Sequence, residues 1–420
     1  MRFDLVFEGS GTKSFAFIGA MEAFFEAGHT FGRLLGTSSG GVTATLLAAG
    51  FSPQESLEIQ SVPGDEELSI FASLFQLPAA PDSHGLKETD IYRLLSWLDI
   101  PYLPDFAEPR FVGWLLDQVR EKPFMRILVN YMERGGAYPT GQFRAWLHDV
   151  LNTGEDGDAP RRYGDMTLSE FFEASGRELT VIAADINAFQ MLALNHRTAP
   201  DLPVVEAALM SISLPVVLED VVWRPEWGRY RGQEIAGHEI IDGGSVSSFP
   251  IELFVSDAPY VQELMGRRSA SGVIGFLVDE ELPVPGVEAC DQHPVGSGHL
   301  ADSPVAVMEV IEQLRSLRSA RRIERIMSTS AKAHDKLVLS AFDSLVVHLP
   351  AQGYDAFEPR MSLCRRQALM RAAREATVAW LSQWSRKQGY ARFSTRTTKL
   401  ADEMAARATP KPGAGDGSSR

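Results

Sequence analysis

The chain has 420 residues, of which 45% are hydrophobic and 23% charged, and its formal net charge is −15. Such a composition is ordinary for a globular protein, and the length is enough for one large α/β domain or two smaller ones. The acidic charge argues against nucleic acid as the main partner. No apolar run reaches the roughly eighteen residues that a transmembrane helix needs.

The chain begins with a strand-like run and lacks the charged and apolar regions of a signal peptide. The two cysteines, Cys290 and Cys364, predict neither a disulfide framework nor a metal cluster. We therefore expect a cytoplasmic protein with reduced cysteines. Residues 301–420 contain 20 Lys/Arg and 12 Asp/Glu, so the first 300 residues have a net charge of −23. The basic residues near the C-terminus are typical of solvated helix faces, which we favour, or of a region that contacts an anionic surface.

Residues 3–8 are predicted to form the first strand, residues 9–14 a glycine-containing loop, and residues 15–27 a buried helix. The loop reads Gly-Ser-Gly-Thr-Lys-Ser. Its position between a strand and a helix lets backbone N–H groups converge on an anionic oxygen, and Lys13 adds positive charge. A dinucleotide-binding fingerprint would need a third glycine where this loop has Ser14.

A second strand over residues 33–37 leads to Ser38, and a helix follows as far as residue 49. Ser38 is the centre of a G-x-S-x-G motif that includes Gly36 and Gly40. In a strand–turn–helix setting this motif strains the serine backbone and exposes its hydroxyl group. Glycine at positions 36 and 40 avoids the collisions that a side chain would make with the neighbouring strand and helix. The motif also arises by chance in turns that cap a helix, so it indicates a nucleophile only together with other features.

Residues 62–135 are less regular and rich in aromatic residues. This pattern is typical of a helical subdomain packed on the core, which we favour, or of a lid that contacts lipid. Strands are predicted at 178–185, 191–195, 239–241 and 272–278, with strand character at 336–347. Helices are predicted at 168–174, 204–213, 304–328 and 363–384. This alternation predicts an α/β fold, a three-layer sandwich whose central, mostly parallel sheet is covered by helices.

Asp242 follows a predicted strand and precedes Gly243 and Gly244, which allow close approach of the backbone. The same pattern is found in plain turns. A serine nucleophile needs a base, and a desolvated carboxylate near a hydroxyl group can act as one. Histidine is the usual base, but none of the candidates has a recognisable catalytic context; they are His238, His293, His299, His334 and His348.

Together, these three motifs resemble those of the patatin-like phospholipase family. The loop at residues 9–14 corresponds to its glycine-rich loop, with Ser10 in place of the second glycine and Ser14 in place of the last. Gly36-Thr37-Ser38-Ser39-Gly40 matches the nucleophile motif, and Asp242-Gly243-Gly244 the D-G-G element. Less specific similarity occurs at 179–185, 207–215, 249–250 and 354–357.

The resemblance implies a serine lipid acyl hydrolase in which Ser38 attacks an ester carbonyl and Asp242 acts as the base. It implies that the loop N–H groups hold the oxyanion, those of Gly9, Ser10, Gly11 and Thr12. No cofactor or metal is implied. The implied partners are phospholipid or another acyl ester and, transiently, a membrane surface to which a cytoplasmic protein would bind peripherally. The substrate preference and the oligomeric state are not indicated.

We expect a catalytic domain over residues 1–255, including the segment 62–135. A C-terminal α/β continuation over 256–407 is expected to pack on it, and residues 408–420 to form a disordered tail. Two alternatives remain open: a hydrolase of soluble acyl esters or thioesters, and a weakly active lipid-binding or regulatory module of the same fold.

Overall fold

The computed structural model describes residues 1–62, 65–70, 77–80, 82–90, 92–93, 109–268, 270–290, 333, 335–337, 339–358 and 360–386. The predicted helix at 304–328, the tail at 408–420, and His293, His299 and His334 lie outside these residues. No helix in the described part of the chain has the length and hydrophobicity to span a membrane.

The strands are β1 Arg2–Phe7, β2 Thr30–Thr37, β3 Ser61–Val62, β4 Asp65–Ser69, β5 Gly136–Tyr138, β6 Glu155–Asp156, β7 Ala159–Pro160, β8 Glu178–Asp185, β9 Gln190–Leu194, β10 Val216–Leu218, β11 Val221–Val222, β12 Glu239–Asp242, β13 Gly272–Pro283 and β14 Val346–Gln352. The helices are α1 Phe15–Glu26, α2 Ser39–Ala48, α3 Pro53–Ile59, α4 Ser83–Glu88, α5 Pro109–Glu121, α6 Pro123–Arg134, α7 Gly141–Leu151, α8 Leu168–Ser175, α9 Val204–Ile212, α10 Glu252–Val255, α11 Pro259–Met265, α12 Val287–Cys290 and α13 Leu363–Arg386.

The main sheet has eight strands in the order β11-β12-β8-β2-β1-β13-β14, with β9 also paired to β8. The five strands from β8 to β14 in this order are mutually parallel. Strands β9 and β12 run antiparallel to β8, and β11 antiparallel to β12. Connections from one parallel strand to the next require crossovers, which explains the alternation of strands and helices in the sequence.

Apolar residues cover both faces of this sheet. In β2, Leu34 packs into the larger core with residues of α1, α2 and α9, whereas Leu35 packs into a second core with α10 and α11. Leu5 and Val6 of β1 divide between the cores in the same way. Successive side chains of a strand point to opposite faces, so a strand buried on both sides is a continuous apolar run. The predicted α/β fold with a helix-covered, mostly parallel sheet is confirmed.

Two predictions from the sequence were wrong. Residues 339–342 are helical and the strand β14 begins only at Val346, although strand character was expected over 336–347. A short apolar run fits either structure, and periodicity alone does not separate them. In addition, Cys290 and Cys364 form a disulfide rather than remaining reduced. They are 74 residues apart in the chain, but the fold brings their Cα atoms to 5.5 Å.

Candidate active site

Ser38 occupies the sharp turn between β2 and α2, with φ of 54° and ψ of −128°. Positive φ is rare for a residue other than glycine and requires support from its surroundings. The flanking glycines permit this turn: a Cβ atom on Gly36 would lie 2.1 Å from the Gly40 carbonyl oxygen, and one on Gly40 would lie 2.4 Å from the Phe7 carbonyl oxygen. The backbone therefore has the strained geometry of a nucleophile turn.

A buried serine on α9 supports this turn. The Ser38 N–H donates a hydrogen bond of 2.8 Å to Ser211 Oγ, and the Ser211 hydroxyl donates one of 2.6 Å to the Ile182 carbonyl oxygen of β8. Ser211 thus joins the strained residue to the sheet, and sequence reasoning missed it. Its only signal was its place within the segment 207–215, which carried a low-specificity similarity.

Asp242 ends β12 and contacts Ser38 directly. The Ser38 hydroxyl donates to Asp242 Oδ2 over 2.6 Å, and the Gly244 N–H donates to Oδ1 over 2.5 Å. The carboxyl group is buried. Burial raises its pKa to about 6, because desolvation penalises the charged form more than the two hydrogen bonds favour it. The pair can therefore exchange a proton near neutral pH.

Close packing explains the glycine after this aspartate. A Cβ atom on Gly243 would lie 2.4 Å from the Ile182 carbonyl oxygen. That carbonyl is also the acceptor of the Ser211 hydroxyl. The turn after β12 and the turn after β2 are therefore held against the same point of β8.

Two of the histidines considered as a base, His238 and His348, lie within the described residues, and neither contacts Ser38. His238 Nδ1 lies 2.8 Å from Asp185 Oδ2. His348 bridges Asp279 and Asp343, each at 2.9 Å. Both rings therefore have carboxylate partners other than the Ser38–Asp242 pair.

The loop after β1 lies directly beside Ser38, since a Cβ atom on Gly9 would be 3.1 Å from the Ser38 Cβ. Three of the four N–H groups assigned to the oxyanion already donate to protein acceptors: Gly9 to Ser248 O (3.1 Å), Ser10 to Ser39 Oγ (3.0 Å) and Thr12 to Ala356 O (2.9 Å). The Gly11 N–H has no acceptor within the described residues. Of these four N–H groups, that of Gly11 is therefore the one available to bind an oxyanion within the described residues.

Ser39, which follows Ser38, provides a further backbone donor that sequence reasoning did not name. Ser39 begins α2, so its N–H has no acceptor within the helix, and it has none elsewhere in the described part of the chain. In nucleophile turns of this type, the N–H after the serine contributes to the oxyanion hole. The Ser39 hydroxyl, in turn, accepts the Ser10 N–H and ties the loop to α2.

The C-terminal part of the chain fixes the loop from its other side. Gly11 has φ of +60°, and a Cβ atom there would lie only 2.1 Å from the Ala356 carbonyl oxygen. The Thr12 hydroxyl donates to Ala356 O over 3.2 Å and accepts the Glu358 N–H over 3.1 Å. Lys13 is buried and forms an ion pair with Glu280 of β13. The expected positive charge of Lys13 is therefore balanced by a carboxylate.

A cavity of about 640 Å³ opens over these residues. Its apolar wall contains Ile212, Leu214, Val217, Leu218, Leu277 and Phe357. Glu8 also lines it, and burial raises the pKa of this carboxyl to about 8, although the Val278 N–H donates to it over 2.7 Å. Within the described residues, no group of three or more His, Cys, Asp and Glu side chains is arranged to hold a metal ion.

Comparison with known proteins identifies the family. The model of the patatin-like phospholipase family matches residues 5–255. An uncharacterized protein of Bacillus subtilis, YqhO, is 23% identical over 393 residues, covering 92% of this chain and 100% of that protein.

Two solved structures match the chain at low identity and low TM-score. VipD of Legionella pneumophila is 14% identical with a TM-score of 0.44, covering 91% of this chain and 67% of that one. The type III effector ExoU is 16% identical with a TM-score of 0.35, covering 96% of this chain and 61% of that one. The family match spans more than half of the chain and includes all three motifs, so the chain belongs to the patatin-like phospholipase family, whose members are lipid hydrolases.

Proposed function

We propose that this protein is a serine lipid acyl hydrolase, of the phospholipase A or lysophospholipase type, that acts through a Ser38–Asp242 dyad. The observation that carries the proposal is the 2.6 Å hydrogen bond from the Ser38 hydroxyl to Asp242, next to an apolar cavity. A nucleophile and its base must lie within hydrogen-bond reach of each other, and Ser38 and Asp242 meet this requirement.

The reaction begins when Asp242 takes the Ser38 proton as Ser38 Oγ bonds to the ester carbonyl carbon. The resulting oxyanion is stabilised by backbone N–H groups. Those of Gly11 and Ser39 are the available donors in the described structure, and the N-terminus of α2 adds its dipole. The Gly9, Ser10 and Thr12 N–H groups hold the loop in place through the acceptors they already have.

The protonated Asp242 then donates its proton to the leaving alkoxide, which departs and leaves an acyl-enzyme on Ser38. Water loses a proton to Asp242 and attacks the acyl carbonyl. Collapse of this second intermediate releases the fatty acid and returns the proton to Ser38. A base with a pKa of about 6 takes and returns a proton near neutral pH more readily than an exposed aspartate.

The apolar wall of the cavity supports an acyl chain as the group that is bound there. Hydrophobic contacts contribute about 0.8 kcal/mol for each methylene group removed from water, so a long chain is favoured over a short one. Membrane phospholipid is the substrate class we propose, and hydrolysis of soluble acyl esters or thioesters is the alternative that the substrate comparison below distinguishes.

A fluorophosphonate probe tests the nucleophile. We expect the label on Ser38, none on Ser38→Ala, and fatty acid release from mixed phospholipid vesicles by the wild type only. Ser39→Ala serves as the neighbouring control for the position of the label: it should still be labelled on Ser38, although more slowly, because the Ser10 N–H loses its acceptor. Label on another residue, or unchanged fatty acid release by Ser38→Ala, would refute the proposal. Turnover of a soluble short-chain ester with no release from vesicles would favour the alternative substrate class.

A further inference from the structure

Helix α6 exposes an apolar arc to solvent. Phe124 is 44% exposed, and Tyr131 and Met132 are each 37% exposed. Leu128, half-buried, lies between them. At 3.6 residues per turn these four positions cover an arc of about 100°. An arc of this width normally faces the protein core.

The side of the helix opposite this arc makes polar contacts with the rest of the protein. Residues at positions 126, 130 and 134 form one row along the helix, and each contacts the protein. The contacts are Arg126 Nε to Val119 O (3.1 Å), Asn130 Nδ2 to Gly136 O (2.7 Å) and Arg134 Nη1 to Glu219 Oε2 (3.2 Å). These polar contacts lie on the side of α6 opposite the arc, while the buried residues of the helix are the apolar Ile127 and Val129.

This helix also packs on the wall of the catalytic cavity. Ile127 is fully buried and belongs to the same apolar cluster as Val217 and Leu218, which line the cavity. Ile212, Leu214 and other partly buried residues of the cavity wall pack against this cluster. Helix α6, which carries the exposed arc, is thus joined through Ile127 to the apolar wall of the cavity over Ser38.

The charge of the two helices α5 and α6 differs from that of the whole chain. Residues 109–134 contain five Lys/Arg and three Asp/Glu, a net charge of +2, in a chain of −15. Arg120 and Lys122 are exposed at the junction of the helices, close in sequence to Phe124. Trp114 of α5 is 55% exposed. Tryptophan and tyrosine favour the boundary between lipid and water, and exposed cations favour anionic headgroups.

We propose that the α5–α6 helices dock on an anionic phospholipid membrane, with the arc of Phe124, Leu128, Tyr131 and Met132 in contact with the lipid. The biological purpose of this docking rests on the proposed function, because it would bring the acyl-binding cavity to its substrate. The binding itself does not need turnover, so the two proposals are tested separately.

Vesicle sedimentation of the full-length Ser38→Ala protein is the direct test, using phosphatidylcholine vesicles with and without phosphatidylglycerol. Adding Phe124→Ser and Tyr131→Ser should weaken partition into anionic vesicles by about tenfold or more, because two apolar side chains no longer leave water. Lys122→Glu should weaken binding to the anionic vesicles and leave binding to pure phosphatidylcholine unchanged. Phe124 and Tyr131 keep more than half of their surface buried, so the thermal unfolding midpoint is measured beside binding, and the vesicles are compared at a temperature at which every variant is folded.

Phe189 offers the matched control, since it is 91% exposed on the turn after β8, outside the proposed surface. Phe189→Ser should bind vesicles as the parent does. Unchanged vesicle binding in the double variant, or an equal loss in Phe189→Ser, overturns the proposal. So does a self-association that disappears in the double variant in sedimentation velocity, because a second copy would then cover the arc.

With Ser38 intact, the double variant should hydrolyse a soluble short-chain ester at the wild-type rate and lose activity on vesicles only. If Ser38→Ala binds vesicles through this surface while the wild type hydrolyses neither substrate, the proposed function fails and the docking surface stands. If the wild type hydrolyses both and the double variant loses neither activity nor vesicle binding, the docking proposal fails and the proposed function stands.

Discussion

Replacing Asp242 by asparagine should abolish turnover and stabilise the fold. Burial raises the pKa of Asp242 from its ordinary 3.8 to about 6, so the folded state binds this proton more tightly than the unfolded state. The resulting stabilisation is complete below pH 3.8 and is lost as the pH rises through about 6. At about 1.4 kcal/mol for each pKa unit, the buried carboxylate costs the native state roughly 3 kcal/mol at pH 8.

Asparagine has the same shape and no charge to desolvate. Its oxygen can accept the Gly244 N–H as the carboxylate does. Its amide can donate to the Ser38 oxygen, so the hydrogen bond to Ser38 is kept with donor and acceptor exchanged. We therefore expect Asp242→Asn to raise the free energy of unfolding by up to about 3 kcal/mol at pH 8 and by about half as much at pH 5. The hydrolysis of a soluble ester should fall to background, because the amide accepts no proton.

Urea unfolding at the two pH values measures the change. Asp4→Asn is the matched control, since Asp4 is equally buried but paired with Arg33 at 2.6 Å. Removing one partner of a buried ion pair leaves an uncompensated charge, so this variant should lose about 3–5 kcal/mol. A stability gain in Asp242→Asn that is absent at pH 8, or the same at pH 5 and pH 8, would refute the reasoning about desolvation.

Three further outcomes are expected. The kcat/KM for a soluble ester should fall about tenfold for each pH unit below about 6, as Asp242 takes up its proton; a fall that starts only near pH 4 would speak against Asp242 as the base. Ser211→Ala leaves the Ser38 N–H without its 2.8 Å acceptor, so kcat should fall at least about tenfold with little change in KM, whereas an equal rise in KM would point to a general loss of structure. Gly11→Ala places a Cβ atom 2.1 Å from Ala356 O, so fluorophosphonate labelling of Ser38 should slow markedly, and labelling at the wild-type rate would mean that the loop does not support the oxyanion.

The parts of the site that depend on local backbone geometry were predictable from the sequence. Gly36 and Gly40 around Ser38, and Gly243 after Asp242, are required where the backbone passes within contact distance of a neighbouring element. Such requirements leave short motifs with fixed spacing. The assignment of Ser38 and Asp242 as nucleophile and base stays a prediction, now supported by their contact.

The hydrogen bonds that hold the site from distant parts of the chain were not predictable. The hydroxyl of Ser211 reaches Ser38 across 173 residues, and Ala356 reaches Thr12 across 344. No local pattern indicates which serine on a buried helix will be an acceptor, or which carbonyl will meet a loop. The same reason explains the missed disulfide between Cys290 and Cys364, whose sequence neighbourhoods carry no sign of their proximity.

The contacts of Gly11 and Thr12 with residues 355–358 also determine when the loop at residues 9–14 can be completed during synthesis of the chain. The loop beside Ser38 is synthesised early, whereas Ala356, which accepts the Thr12 hydroxyl, follows 344 residues later, and Glu358 follows it. Strand β13, which pairs with β1, is also synthesised after the whole of the family-matched region. A nascent chain therefore cannot complete the contacts of the loop at residues 9–14 until residues 355–358 have been synthesised, about a hundred residues after the end of the family-matched region.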